Sequence, residues 1–277
     1  MYDLIGKYLP TQASAHGDQL DHMTKIVHWL MLVLFVGWGA YFIYVLFRFR
    51  AGSNSQASYT GVKSHFSTYS EVAVAVIEGI ILFAFALPAW ANWVTPPTDG
   101  TDPISVRVVG EQFAWNVHYP GPDGLFGEGD IERFSASNPL GLDPEDPAGL
   151  DDVTTINQLR LPVDRPVSIL LSSKDVIHSF SLPVMRVKQD AIPGMQVAVN
   201  FTPIATNGEE KWEIGCAQLC GLGHYRMRGF LTILEQGEFD EWMAGEVAKR
   251  MPEPEPEPEL VEEAEEGVAE ASVETAE

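Results

Sequence analysis

A chain of 277 residues with 17 Lys and Arg against 39 Asp and Glu, a formal net charge of -22, is excluded as a binder of phosphate backbones, which requires a cationic surplus. Two cysteines cannot staple a chain of this length, while 45% hydrophobic residues supply a core for one large domain or two modest ones. Half of the net charge falls in residues 251–277, with eleven glutamates and no Lys or Arg; such a segment buries no core and is expected to be a disordered acidic tail.

Residues 1–25 are mostly polar and lack the basic start and early apolar run of a cleaved signal. Residues 26–47, "IVHWLMLVLFVGWGAYFIYVLF", are 22 residues without Lys, Arg, Asp or Glu, long enough for a retained transmembrane helix. A loop at 48–71 carries Arg48, Arg50 and Lys63 and no acid before Glu71. A second span follows at 72–94, with one acid inside it, Glu78. The basic loop predicts a cytoplasmic side, which puts both termini outside, in the periplasm of a bacterial inner membrane. Two buried helices of a soluble protein are the alternative, disfavoured because soluble core helices seldom run past twenty residues without charge.

From residue 95 to 250 the texture becomes short alternating segments between Gly, Pro and Asp clusters: "ISVRVVGEQFAWNVHY", "VSILLSS", "QVAVNFT", "KWEIGC" and "RGFLTILEQG". These predict an all-β sandwich or small barrel, with a long loop at 120–154 and a short closing helix at "GEFDEWMAGEVAKRM".

The stretch "EIGCAQLCGLGHYRMRG" holds both cysteines, Cys216 and Cys220, with His224 and Met227 close behind. A disulfide is the plain reading in an exported domain. Zinc is the next, but thioether sulfur is not among its usual ligands, so Met227 would have no role. A copper site uses thiolate, imidazole and a weak axial Met. His178 in "SSKDVIHSFSLP" is the candidate first imidazole, read as closing a strand upstream. Two thiolates, two imidazoles and a thioether are too many for one copper and suit two coppers bridged by both sulfurs, which is electron-transfer chemistry.

These residues resemble subunit II of the haem-copper cytochrome c oxidases, over most of residues 20–245. The family's C-x3-C-x3-H-x2-M loop matches Cys216, Cys220, His224 and Met227, and its D-V-x-H-S-F-x-x-P and K-x-D-x-x-P-G segments match "DVIHSFSLPVMRVKQDAIPG". The resemblance implies a two-helix transmembrane hairpin and a cupredoxin-like Greek-key domain. It also implies a dinuclear copper centre, CuA, fed by cytochrome c and paired with subunit I and subunit III. Between the cysteines the family usually has Glu, whose carbonyl completes one copper and whose carboxylate helps bind magnesium; here Gln218 keeps the carbonyl and loses the charge. The family's aromatic patch for receiving electrons, Q-W-Y-W, reads Gln112, Phe113, Ala114 and Trp115, so Phe113 or Trp115 is the implied contact or the donor docks differently, and Trp115 is equally read as a core ring. Glu71 matches the acid at the mouth of a proton path into subunit I. Glu78 stands where the family usually has proline, and a mid-span acid is expected to face protein and join that path. No C-x-x-C-H is present, so no covalent haem is expected. A membrane-tethered copper carrier or copper-delivery protein is the competing class. Nitrous oxide reductase shares the copper loop but would need a far longer, histidine-rich chain.

Overall fold

The computed structural model describes residues 6–53, 56, 59–61, 63–95 and 102–250. The acidic tail expected at 251–277 and parts of the loop at 48–71 lie outside the described residues. Helix α1 (Gly17–Arg48) has 32 residues, about 48 Å at the usual helical rise. It begins before the apolar run because no Pro interrupts Gly17 to Lys25 and because this polar first part docks on the β-domain. Helix α2 (Phe66–Ile81) passes into a π-turn (Leu82–Ala86), where the Leu87 N–H reaches Leu82 O, and then into α3 (Leu87–Val94), which has Pro88 in its first turn. Pro88 has no N–H to give, so a local change of register falls where the helical ladder is already interrupted. Gly17–Arg48 and Phe66–Ala91 are each long and apolar enough to cross a membrane. Phe35, Trp38, Phe42, Phe83 and Trp90 point outward along them, whereas the core helix of a soluble protein would bury such residues.

The rest is two five-stranded sheets. One holds β1 (Ile104–Glu111), β2 (Ala114–Tyr119), β3 (Val153–Ile156), β5 (Val167–Ser173) and β8 (Val197–Phe201) in the order β3-β2-β1-β5-β8. The other holds β4 (Gln158–Pro162), β6 (His178–Leu182), β7 (Val187–Ala191), β9 (Trp212–Cys216) and β10 (Arg228–Leu234) in the order β4-β10-β9-β6-β7. Pairing is antiparallel except for β1 with β5 and β4 with β10. Strands β5 and β10 alternate buried and half-buried positions, so every second side chain enters the core. There Ile169, Leu171, Phe180, Ile214, Leu231 and Ile233 pack around Trp115, each worth roughly 1.5–3 kcal/mol when fully buried. Helix α4 (Gln236–Ala248) closes the sandwich, opened by a capping box between Glu235 and Glu238, with Trp242 set edge-on to Tyr119 at 5.3 Å.

The long loop between β2 and β3 is fastened to the sheet by a buried polar cluster. His118 Nε2 and Asp152 Oδ2 are 2.5 Å apart, and the Gly127 N–H donates to the same oxygen at 2.8 Å. Arg107, opposite His118 on β1, lies over the Phe126 ring at 4.1 Å. At the other end of the domain, Ala13 and Ala15 donate backbone hydrogen bonds to Val184 and Thr202, so the segment before α1 adds itself to the sandwich.

Candidate metal centre

His178 opens β6; it does not close the preceding strand as its spacing suggests. Strand β5 ends at Ser173, and a turn held by Ser173 Oγ donating to Val176 O at 2.5 Å sends the chain into the opposite sheet. Strands β6 and β9 pair antiparallel with Phe180 opposite Cys216, and the Ala217 N–H donates to Ser179 O. That register carries His178 alongside the end of β9. After Cys216 the chain loops through Gly221, whose φ of 133° suits glycine, to a 3-10 turn at His224–Arg226. Gly223 lies under the Phe113 ring, where a Cβ would meet ring carbons at 2.4 Å. The loop therefore folds back and returns His224 and Met227 to the two cysteines.

Five donor side chains meet there. Cys216 Sγ stands 3.9 Å from His178 Nδ1 and 3.8 Å from Cys220 Sγ; Cys220 Sγ stands 3.6 Å from His224 Nδ1 and 3.7 Å from Met227 Sδ. Both cysteines are free, and their sulfurs are far beyond the roughly 2.05 Å of a disulfide. They are also closer than twice a metal–thiolate bond of about 2.3 Å, so one ion on either side can touch both sulfurs. With an imidazole beside each sulfur and a thioether beside one, the donor set fits copper and exceeds the four ligands of a zinc tetrahedron. The Gln218 carbonyl oxygen accepts from Cys216 Sγ at 3.2 Å. Burial, reinforced by the neighbouring Cys216, pushes the Cys220 thiol up to about 11. A bare thiolate is disfavoured there, and a cation is the natural compensation.

Two residues with roles here went unassigned from sequence. Asp175 Oδ1 accepts from His178 Nε2 at 2.9 Å, which fixes the ring and leaves Nδ1 toward the sulfurs. Burial alone would raise the Asp175 carboxyl, but bonds from His178, Gln112 and Val176 outweigh it and hold it below the usual carboxylate range. Gln112 donates its backbone N–H to Asp175 Oδ2 at 2.8 Å and its side-chain amide to Cys220 O at 2.5 Å, tying both halves of the centre together. The signals were present: an Asp three residues before the His in a turn, and the Gln that opens "QFAW".

Phe113 is half-buried against the loop, with the Arg226 guanidinium 6.0 Å from its ring centre. Trp115 is fully buried, edge-on to His178 at 5.9 Å and to Phe180 at 5.3 Å. Glu71 and Glu78 lie on α2, outside the two sheets that carry the metal-site residues. They are seven residues apart, hence on one helix face about 10.5 Å apart along the axis.

The sandwich and its cysteine edge define a cupredoxin-like, metal-binding domain carried behind two membrane-length helices. The family profile for the periplasmic domain of cytochrome c oxidase subunit II matches residues 104–233. The chain is 32% identical over 244 residues to the alternative cytochrome c oxidase subunit 2 of Bradyrhizobium diazoefficiens, covering 88% of this chain and 86% of that one. It is 30% identical over 239 residues to the probable cytochrome c oxidase subunit 2 of Rickettsia felis, covering 84% and 69%. Among solved structures, the periplasmic domain of subunit II of cytochrome oxidase (CoxB) of Bradyrhizobium japonicum is 26% identical, covers 56% of this chain and 98% of that domain, and gives a TM-score of 0.40. This chain belongs to the cytochrome c oxidase subunit II family.

Proposed function

We propose that this chain is the subunit of a respiratory terminal oxidase that receives electrons from a periplasmic donor, a c-type cytochrome, at a dinuclear copper centre and hands them to haem in subunit I. There oxygen is reduced and protons are pumped, with subunit III completing the complex. The observation that carries this reading is the pair of free cysteines 3.8 Å apart with an imidazole beyond each sulfur and a thioether beside one. His178, Cys216, Cys220, His224, Met227 and the Gln218 carbonyl would hold the two metals. When bound, such a pair supplies electron transfer with little rearrangement, because one electron is shared between both ions.

The chain's own residues then do the positioning. Asp175 and Gln112 fix the two ends of the ligand set, and the buried Trp115 stiffens His178 from below. Because Trp115 has no exposed edge, Phe113 is the aromatic that a docking donor would touch. Glu71 and Glu78 form one acidic line on α2, and Glu78 would pass protons toward subunit I from a position in which hydrocarbon alone would not tolerate it. A magnesium ion at that interface would meet the neutral amide of Gln218 in place of a carboxylate. The segment before α1 hydrogen-bonds to the β-domain, which favours both lying on one side of the membrane; the basic residues between the spans favour a periplasmic side of a bacterial inner membrane.

The test is to purify the full chain with its native partners and measure metal content and electron paramagnetic resonance. Two coppers per chain with a mixed-valence signal, together with haem, are expected; one tightly bound zinc, or a chain recovered without a haem protein, overturns the reading.

A further inference from the structure

Arg186 occupies the turn between β6 and β7 with φ 55° and ψ 33°. Side-chain-bearing residues rarely adopt this left-handed backbone, and it persists where the surroundings over-determine it. The surroundings here come from the other end of the chain. The guanidinium makes five hydrogen bonds: Nε and Nη2 donate to Asp21 Oδ1 and Oδ2 at 2.7 and 2.9 Å, Nη2 also to Pro10 O at 2.8 Å, and Nη1 to Thr11 O at 3.3 Å and Pro183 O at 2.6 Å. This is a bidentate fork onto a carboxylate, with its remaining donors spent on backbone carbonyls. The Arg186 and Asp21 side chains are only 11% and 16% exposed.

The contacts around this pair form a clasp. Ala13 N–H donates to Val184 O, Ile204 N–H to Ala13 O and Ala15 N–H to Thr202 O, each at 2.9 Å. Ser14 Oγ donates to Met185 O at 2.7 Å, and Ala13 and Ser14 are fully buried. Asp21 lies on α1, which continues without a break into the apolar span, and α3 packs against β8, the strand that runs into Thr202. The clasp thus sits where the domain meets its helices. His178 is at the far end of the hairpin: β6 has five residues, so about 13 Å of strand separates it from the turn.

We propose that the Arg186–Asp21 pair is a positioning lock that sets the attitude of the metal-bearing domain over the membrane helices, and with it the path electrons take on leaving the copper. The inference rests on the function proposed above, in which the domain must present its centre to a membrane-embedded haem. Arg186 is a positioning residue and touches no reacting atom.

The experiment uses the purified oxidase complex with Arg186→Leu, Asp21→Asn, the conservative Arg186→Lys, and the reversed pair Arg186→Asp with Asp21→Arg. In the first two, hydrogen exchange at residues 9–16 should quicken and the optical and paramagnetic signature of the copper should stay as in the wild type. Flash-induced electron transfer from copper to haem should slow about tenfold or more, since small misplacements of reacting centres carry costs of that order. Arg186→Lys should fall between, and the reversed pair should restore both protection and rate. An onward rate equal to wild type in a variant whose 9–16 segment has loosened overturns the proposal. So does a copper signature that changes in step with the rate, which would make Arg186 a support of the ligand set. If the wild-type complex carries no copper, the function proposed above fails on its own account; exchange at 9–16 unchanged in Arg186→Leu then defeats the lock separately.

Discussion

Two buried histidines of the β-domain each meet an aspartate, and their surroundings do opposite things. His118 and Asp152 close on each other at 2.5 Å, take in the Gly127 N–H, and sit beside Arg107. His178 gives one nitrogen to Asp175 at 2.9 Å and keeps the other facing sulfur at 3.9 Å, in a set linked by four sulfur contacts of 3.6 to 3.9 Å. The first cluster closes on one carboxylate oxygen, with Asp152 Oδ1 and Arg107 Nε buried without a partner, and works as a clip for the long loop. The second gathers thiols, imidazoles and a thioether in weak sulfur contacts, close enough to share an ion. Donor spacing, more than residue type, separates an internal fastening from a metal site.

The largest effect expected from breaking this contrast is at the sulfurs. Cys216→Ser should cut copper from two ions per chain to one or none and abolish electron delivery, read by metal analysis and by oxygen uptake with a reduced donor. At the clip, Asp152→Ala leaves the buried His118 and the half-buried Arg107 without their carboxylate, and breaking a buried pair costs about 3–5 kcal/mol. Denaturant unfolding should show that loss while the copper spectrum of the folded protein stays unchanged; a lost spectrum would mean that the two clusters are coupled. Asp175→Asn should weaken copper binding about 10- to 100-fold by freeing the His178 ring, measured by competition with a chelator. Because the Cys220 thiol keeps its proton up to about 11, metal loading must displace it, so copper affinity should fall roughly tenfold per pH unit for that proton as the pH is lowered. The smallest change belongs to Met227→Leu, which should retain both coppers and shift the reduction potential, as seen by redox titration.

Much of this was legible because it rests on local pattern. Hydropathy located both membrane-length helices, the period-2 segments marked β5, β8, β9 and β10, and short spacing gathered Cys216, Cys220, His224 and Met227. The rest depends on residues distant in sequence. Asp175 and Gln112 are polar loop residues until the turn after β5 and the copper loop meet. The bond between His118 and Asp152 crosses the long loop, and no periodicity signals it. Arg186 reads as one more surface cation, because its carboxylate partner lies 165 residues away. The start of α1 carries no such signal for a related reason: hydropathy marks only the apolar run at 26–47, while the helix begins at Gly17, beside the clasp.

The π-turn in the second span has a consequence for how that span presents itself. An ordinary helix repeats its faces every 3.6 residues, and it is this repeat that stacks Glu71 under Glu78. A turn closed by Leu87 N–H on Leu82 O takes in one extra residue, so everything beyond it is rotated by roughly 100° relative to the phase set below. The line drawn through Glu71 and Glu78 therefore ends at the turn. Pro88 and Trp90 follow on a face that a heptad count from Glu71 would assign wrongly. The span is two half-helices out of phase, each free to satisfy a different neighbour.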